Sequence, residues 1–136
     1  GFNPVYKLNQ KLKLFVEASQ DSYLYCFYQQ ADESVLKIFP NRYYQNAFVT
    51  GGIKAQIPSD KHKSAWIIAP PTGAEFIKCF AFDRDIEGEL PNTLKTRSFG
   101  QIPDTSLSEI TNKLRSISKL NRVGIAEDSM TVNVER

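Results

Sequence analysis

The 136-residue chain carries a formal net charge of +2, and 41% of its residues are hydrophobic, 24% charged and 12% aromatic. This is the balance of a globular protein, so it excludes global disorder, and the length fits one domain, 1–136, better than two. Because basic and acidic residues are interspersed, the charge pattern predicts no nucleic-acid partner. No apolar run reaches the roughly 20 residues that a membrane helix needs.

Period-two patterns predict strands over the first part of the chain. Apolar residues alternate with polar ones over 12–18, which is typical of a half-buried strand. Residues 22–29 are apolar or aromatic on both faces, so they predict a central strand covered on two sides. Residues 42–52 are expected to form a loop. Shorter strands, each stopped by turn residues, are predicted at 35–39, 53–57, 64–69 and 75–82.

The pattern changes after residue 82. Gly and Pro interrupt a polar stretch over 83–104, which predicts an irregular connection with a short strand near Phe99. Apolar residues then recur at helical spacing over 106–120, and Ser106 followed by Glu109 has the spacing of a capping box. The apolar stripe of this helix is suited to docking on a sheet.

A last strand is indicated by the alternation of Met130, Val132 and Val134. About seven short strands with turns every 8 to 12 residues are typical of a sandwich. The predicted fold class is therefore mostly β: an immunoglobulin-like β-sandwich of about seven strands, with one late α-helix as an insertion at 106–120.

Two cysteines, Cys26 and Cys79, each lie in the middle of a predicted strand on an apolar face. They could meet across the core as a disulfide between two sheets, or remain thiols that pack as small hydrophobic side chains. A bridge would close a loop of about fifty residues and contribute roughly 4 kcal/mol on the chain-entropy model. It would also indicate an oxidising compartment such as the periplasm.

Catalytic and metal-binding patterns are sparse. The one histidine, His62, lies in a polar loop without a nucleophile motif near it, and Gly51-Gly52 lacks the lysine that follows in a phosphate-binding loop. Carboxylates alternate over 83–89, but Gly88 is misplaced for a calcium loop. Two cysteines and one distant histidine do not complete a zinc site. We therefore expect no enzyme activity, no metal and no cofactor.

The candidate binding residues are Asn41, Arg42, Tyr43 and Tyr44. They follow the turn signal at Pro40, and aromatic residues with arginine in a loop are the types that form interaction hot spots. The alternative is a purely structural role, in which the tyrosines cover the edge of the sandwich.

Three segments in order resemble the bacterial family called domain of unknown function 4384. They are an aspartate-led run of tyrosines at 21–28, a Phe-Pro-Asn turn within 38–41, and a Gly-x-Glu entry into a buried strand within 71–79. A slightly stretched fourth element covers 52–58, so the resemblance spans roughly 12–82. These are mostly turn and core signals. The resemblance implies a non-catalytic accessory module, as in envelope lipoproteins, Ser/Thr kinases and caspase-like proteases, and the cysteine pair is similar to that of the envelope-type members.

The working hypothesis is a non-catalytic interaction or assembly domain of a bacterial cell-envelope protein, in the periplasm or attached to the outer membrane. It binds a protein partner, and membrane contact comes only through a part of the precursor outside this sequence. Gly1 in place of methionine indicates a fragment of a longer protein. The alternatives are a module for glycans or cell-wall fragments, in which Trp66 and tyrosines stack on sugars, and an accessory domain of a cytosolic signalling protein.

Overall fold

The computed structural model of the chain describes residues 5–7, 14–41, 44–57, 71–95 and 101–135, with side chains from residue 14 onward. These ranges contain nine strands and one α-helix. In chain order they are β1 (Val5–Lys7), β2 (Leu14–Val16), β3 (Ser22–Gln29), β4 (Val35–Phe39), β5 (Phe48–Val49), β6 (Ala55–Ile57), β7 (Gly73–Phe82), β8 (Gln101–Ile102), α1 (Leu107–Asn121) and β9 (Ile125–Glu135).

The strands form two sheets of unequal size. Seven strands make the large sheet in the order β1-β9-β7-β3-β4-β8, with β5 also paired to β3. The β1–β9 pair is parallel, whereas the other pairs are antiparallel. The second sheet consists of β2 and β6 alone. The mostly-β prediction is confirmed, and the two sheets are consistent with a sandwich.

Both faces of the large sheet are covered, by different elements. Tyr25, Phe27 and Phe80 on one face pack in a cluster with helix residues such as Ile110 and Leu114. The members of a second cluster lie on the other face, with the small sheet: Leu14, Leu24, Cys26, Ile38, Ile57, Ile77, Val132 and Val134. The strand β3 is therefore buried on two sides, as its run of apolar residues predicted.

The late helix is confirmed one residue further along the chain than predicted. Ser106 is its N-cap, and its hydroxyl accepts a hydrogen bond from the Glu109 amide at 3.1 Å. That is the first half of the expected capping box. Arg122 ends the helix in the left-handed conformation. Within the described residues, no helix is both long and apolar enough to cross a membrane.

Some predicted boundaries need correction. The predicted loop 42–52 contains β5, because Tyr23 on β3 pairs with Phe48 and packs edge-on against its ring at 5.7 Å. The last strand, β9, begins well before Met130, because pairing with β7 rather than hydrophobic alternation forms its first half. The strands predicted at 64–69 and near Phe99 lie outside the described residues.

The disulfide between Cys26 and Cys79 is confirmed, but its predicted place is wrong. The two residues face each other on β3 and β7, which are neighbouring strands of the large sheet, with 4.1 Å between their Cα atoms. The bridge therefore crosses one ladder and does not join two sheets. Both arrangements satisfy the sequence pattern, since each needs only an apolar mid-strand position.

A buried lysine holds the irregular segment 83–95 against the large sheet. Lys37 on β4 is almost completely buried, and its ammonium donates to the Leu94 carbonyl at 2.6 Å and lies 5.5 Å from the centre of the Tyr25 ring. The Tyr25 hydroxyl in turn donates to Glu87 at 2.8 Å. Such a charge is tolerated in a core only when it is hydrogen-bonded, so these contacts fix the path of the segment.

Close backbone contact explains one glycine of the segment that follows β5. A Cβ atom added to Gly51 would lie 2.4 Å from the Cα atom of Gln20. The Gly51 amide also donates to the Asp21 carboxylate at 2.9 Å. The turn that starts β3 and the turn after β5 are thereby held in direct contact.

We expect Gly51→Ala to lower the free energy of unfolding by roughly 2 kcal/mol, because backbone atoms have to move to admit the methyl group. Gly88→Ala is the matched control, since a Cβ atom there meets nothing within 4 Å. Urea unfolding of both variants checks this. Equal stability of the two variants would contradict the close contact.

Candidate functional site

A cleft of about 620 Å³ opens on the face of the large sheet that carries the small sheet. It lies over β3, β7 and the first half of β9, and the segment 14–20 forms its wall. The volume is in the range of pockets that bind small molecules or a few residues of a peptide.

The floor of the cleft is apolar and contains the disulfide-bridged strand β7. Cys79 and Ala81 lie next to each other on this face of β7, and both are only partly buried. Ala126 is opposite Ala81 and is exposed, while Met130 is opposite Ile77. The small side chains leave room above the sheet, and a methionine thioether adapts to ligands of different shape.

The rim of the cleft is acidic. Glu17 lies on the wall, Asp128 projects from β9 opposite Cys79, and Asp83 follows the end of β7. Among the described residues that line the cleft, none is a lysine, arginine or histidine. The described lining of the cleft therefore carries a net negative charge, although the chain as a whole has a net charge of +2.

Asp83 lies at the rim of the cleft and also has a structural role. One of its carboxylate oxygens accepts the Gly124 amide at 3.0 Å and lies 4.0 Å from the guanidinium of Arg84. Arg84 in turn donates to the carbonyls of Asn121 and Arg122, next to the end of α1. Because both side chains of the ion pair are largely exposed, water screens it strongly and the carboxylate still contributes to the rim.

Glu127, the neighbour of Asp128, serves the opposite face. Arg115 on α1 donates to both of its carboxylate oxygens, at 2.7 and 2.8 Å, and the Lys78 ammonium lies 3.1 Å away. The hydrogen bond from Arg115 is the largest cause that lowers the Glu127 pKa to about 2, against the raising effect of burial. Glu127 thus ties the helix to β9 and adds no free charge to the rim.

The predicted binding residues lie in a separate turn. Asn41 is buried, with 3% of its surface exposed. Its side-chain NH2 group donates to the Ile38 carbonyl at 3.0 Å, and its side-chain oxygen accepts a hydrogen bond from the Tyr44 backbone amide at 3.1 Å. Tyr44 is 45% exposed and its ring stacks on Phe39 at 5.4 Å. Asn41 therefore stabilises the turn and contributes little to its exposed surface. Arg42 and Tyr43 lie outside the described residues, and a binding role for this turn stays a prediction.

The carboxylates of the stretch 83–89 do not converge. Asp83 holds Gly124, Asp85 accepts the Glu87 amide at 2.9 Å, and Glu87 accepts from Tyr25. In the part of the chain that the structure describes, no group of three or more His, Cys, Asp or Glu side chains is placed to hold a metal ion. His62 and Trp66 lie outside that part.

The sequence motifs that carry the family resemblance have structural roles. Asp21, which leads the run of tyrosines, accepts the Gly51 amide. Glu75, near the start of β7, is buried; its carboxylate accepts the Tyr28 hydroxyl and, at 2.8 Å, the Ala31 amide. Each of these groups joins segments that are distant in sequence, which is why the motifs specify a fold.

Comparison with protein families agrees with this role of the motifs. The family model "Domain of unknown function (DUF4384)" matches residues 5–84, which is more than half of the chain, and the chain belongs to this family. The match confirms the resemblance drawn from 12–82. No curated protein and no solved structure gave a significant match.

Sequence reasoning missed the cleft. Its lining comes from segments far apart in sequence, around 14–24, 77–83 and 124–130, and the last of these lies beyond the residues that the family model matches. One signal was available: within β9, the run 126–129 consists of small and acidic residues and has no apolar side chain larger than alanine.

The network around Glu127 predicts a pH dependence of stability. Because the folded-state pKa, about 2, lies below the ordinary value of 4.5, the stabilisation is fully present above pH 4.5 and is lost as the pH falls towards 2. We expect Glu127→Gln to cost on the order of 1 kcal/mol at pH 7 and much less near pH 2. Urea unfolding at the two pH values checks this, with Glu89→Gln, which changes an exposed carboxylate, as the control. A cost that did not change with pH would rule out this role of the charge.

Proposed function

We propose that the chain is a non-catalytic interaction domain of a bacterial cell-envelope protein and that it binds a protein partner through the cleft. The observation that carries the proposal is the floor of the cleft. Cys79, Ala81 and Met130 belong to an otherwise buried cluster but remain only partly covered. A partner that covers them removes apolar surface from water, which is the main favourable term in most protein association.

The compartment in the proposal rests on the disulfide. A bridge in the middle of a sheet fits a non-cytosolic compartment, because thiols in the cytosol are kept reduced. The periplasm is the oxidising compartment of a bacterial envelope. Since Cys79 also lines the cleft, the same bridge that fits this compartment contributes to the surface offered to the partner.

Site-specific photocrosslinking tests the proposal. A photoreactive amino acid replaces Ala126, which is exposed in the cleft, in protein exported to the periplasm of the source bacterium or a close relative. We expect a crosslinked product that mass spectrometry identifies as one protein and that excess wild-type domain competes away.

Ser116 provides the matched control position, because it is exposed on α1, on the opposite face of the large sheet. The proposal predicts that the product disappears when the photoreactive group is moved there. Identical products from both positions, or none from position 126 in folded and oxidised protein, would contradict it.

A further inference from the structure

We infer that the cleft takes an extended peptide segment, which adds as a strand to the open edge of β9 and carries apolar side chains flanked by positive charge. The inference rests on the proposed function and specifies the partner's chemistry. It depends on the edge of β9, the direction of its backbone groups and the charges around the cleft.

Among the described strands, the stretch 125–132 of β9 is paired on one side only. The strand β9 pairs with β7 over 125–134, but β1 pairs with it only at residues 133–135. In the ranges that the structure describes, no strand lies beside 125–132 on the side away from β7. The short β1 shows that this same edge accepts a strand just beyond the free stretch.

One hydrogen bond at the start of β9 and the register of its ladder show which backbone groups face away from β7. The Asp83 amide donates to the Gly124 carbonyl at 3.1 Å, so Gly124 directs its backbone towards the β7 side. Ser129, an odd number of residues further on, therefore directs its amide away from β7, and the Asp128 carboxylate accepts that amide at 2.9 Å. Because these directions alternate along an antiparallel ladder, Glu127 and Thr131 also present their backbone groups at the free edge.

The stretch 125–132 is long enough for specific pairing. At ~3.3 Å per residue it spans about 26 Å, which accommodates a strand of roughly seven residues. Main-chain hydrogen bonds supply affinity in this mode of recognition, while pockets for alternate side chains supply specificity. Charged side chains often protect a free edge, but Glu127 is already paired with Arg115 and Lys78 on the helix face.

The cleft selects the side chains of the added strand. Alternate side chains of that strand project on the same face as Ala126 and Met130, next to the apolar floor. The carboxylates of Glu17, Asp83 and Asp128 favour lysine or arginine beside them. Such exposed attractions are screened by salt, so the preference should weaken as ionic strength rises.

A fluorescein-labelled heptapeptide, Lys-Thr-Val-Thr-Val-Thr-Lys, whose lysines and valines share one face of an extended strand, tests the inference by fluorescence anisotropy with the oxidised protein. We expect saturable binding that weakens with added salt. Replacing both lysines with glutamate should weaken binding about tenfold or more. N-methylation of alternate peptide amides, which removes main-chain donors, should abolish binding. Equal affinity of the N-methylated peptide would overturn strand addition, and equal affinity of the glutamate peptide would overturn the charge selection.

A matched pair of variants tests the edge from the side of the protein. Ser129→Pro removes the outward amide and leaves the ladder to β7 in place, because proline is tolerated where an edge N–H faces solvent. Ser129→Ala keeps the amide. We expect the proline variant to lose the peptide and the alanine variant to retain it, with both folded and bridged. If the proline variant does not fold, the binding experiment with the N-methylated peptide tests strand addition instead.

The outcomes separate this inference from the proposed function. A partner crosslinked from position 126, together with no binding of the heptapeptide, would overturn the inference and leave the proposed function standing. Crosslinking from position 126 to another part of the same molecule would show that the chain fills its own cleft and would overturn the inference.

Discussion

The pairing of β3, β7 and β9 is the constraint on which the rest of the structure depends. The strand β7 lies between the other two, and the Cys26–Cys79 bridge fixes its register against β3. The bridge closes a loop with a sequence separation of 53 residues, which on the chain-entropy model contributes about 4 kcal/mol. Alternate side chains of this ladder supply the core under α1 on one face and the floor of the cleft on the other.

The unequal size of the two sheets gives the molecule its candidate site. The small sheet of β2 and β6 covers only part of one face of the large sheet. Small side chains of β7 and β9 therefore remain accessible beside it. Acidic residues lie at the rim of this opening, and among the described strands β9 is the last of the ladder over 125–132. An apolar floor, a charged rim and a free edge in one place are together the features of a peptide-binding surface.

Part of the fold was predictable because local pattern and tertiary position agree. The two-sided apolar run of β3 and the helical spacing of 106–120 were interpreted correctly for this reason. The bridge was predictable as a pair, but two mid-strand cysteines fit one sheet as well as two. Lys37 is buried and the polar first half of β9 forms a strand because of contacts with residues distant in sequence. No local sequence pattern predicts either feature. The cleft was invisible for the same reason, since its lining converges only in the folded chain.

Residue-resolved amide hydrogen exchange of the oxidised protein, followed by NMR, tests the free edge beside the cleft most directly. The structure predicts an alternation along β9: slow exchange at Ala126, Asp128 and Met130, whose amides face β7, and faster exchange at Glu127 and Thr131, whose amides face outward. Adding the lysine-flanked heptapeptide should slow the outward set and leave the other unchanged. Uniform protection along 125–132 without peptide would show that the edge is already occupied and would contradict the account.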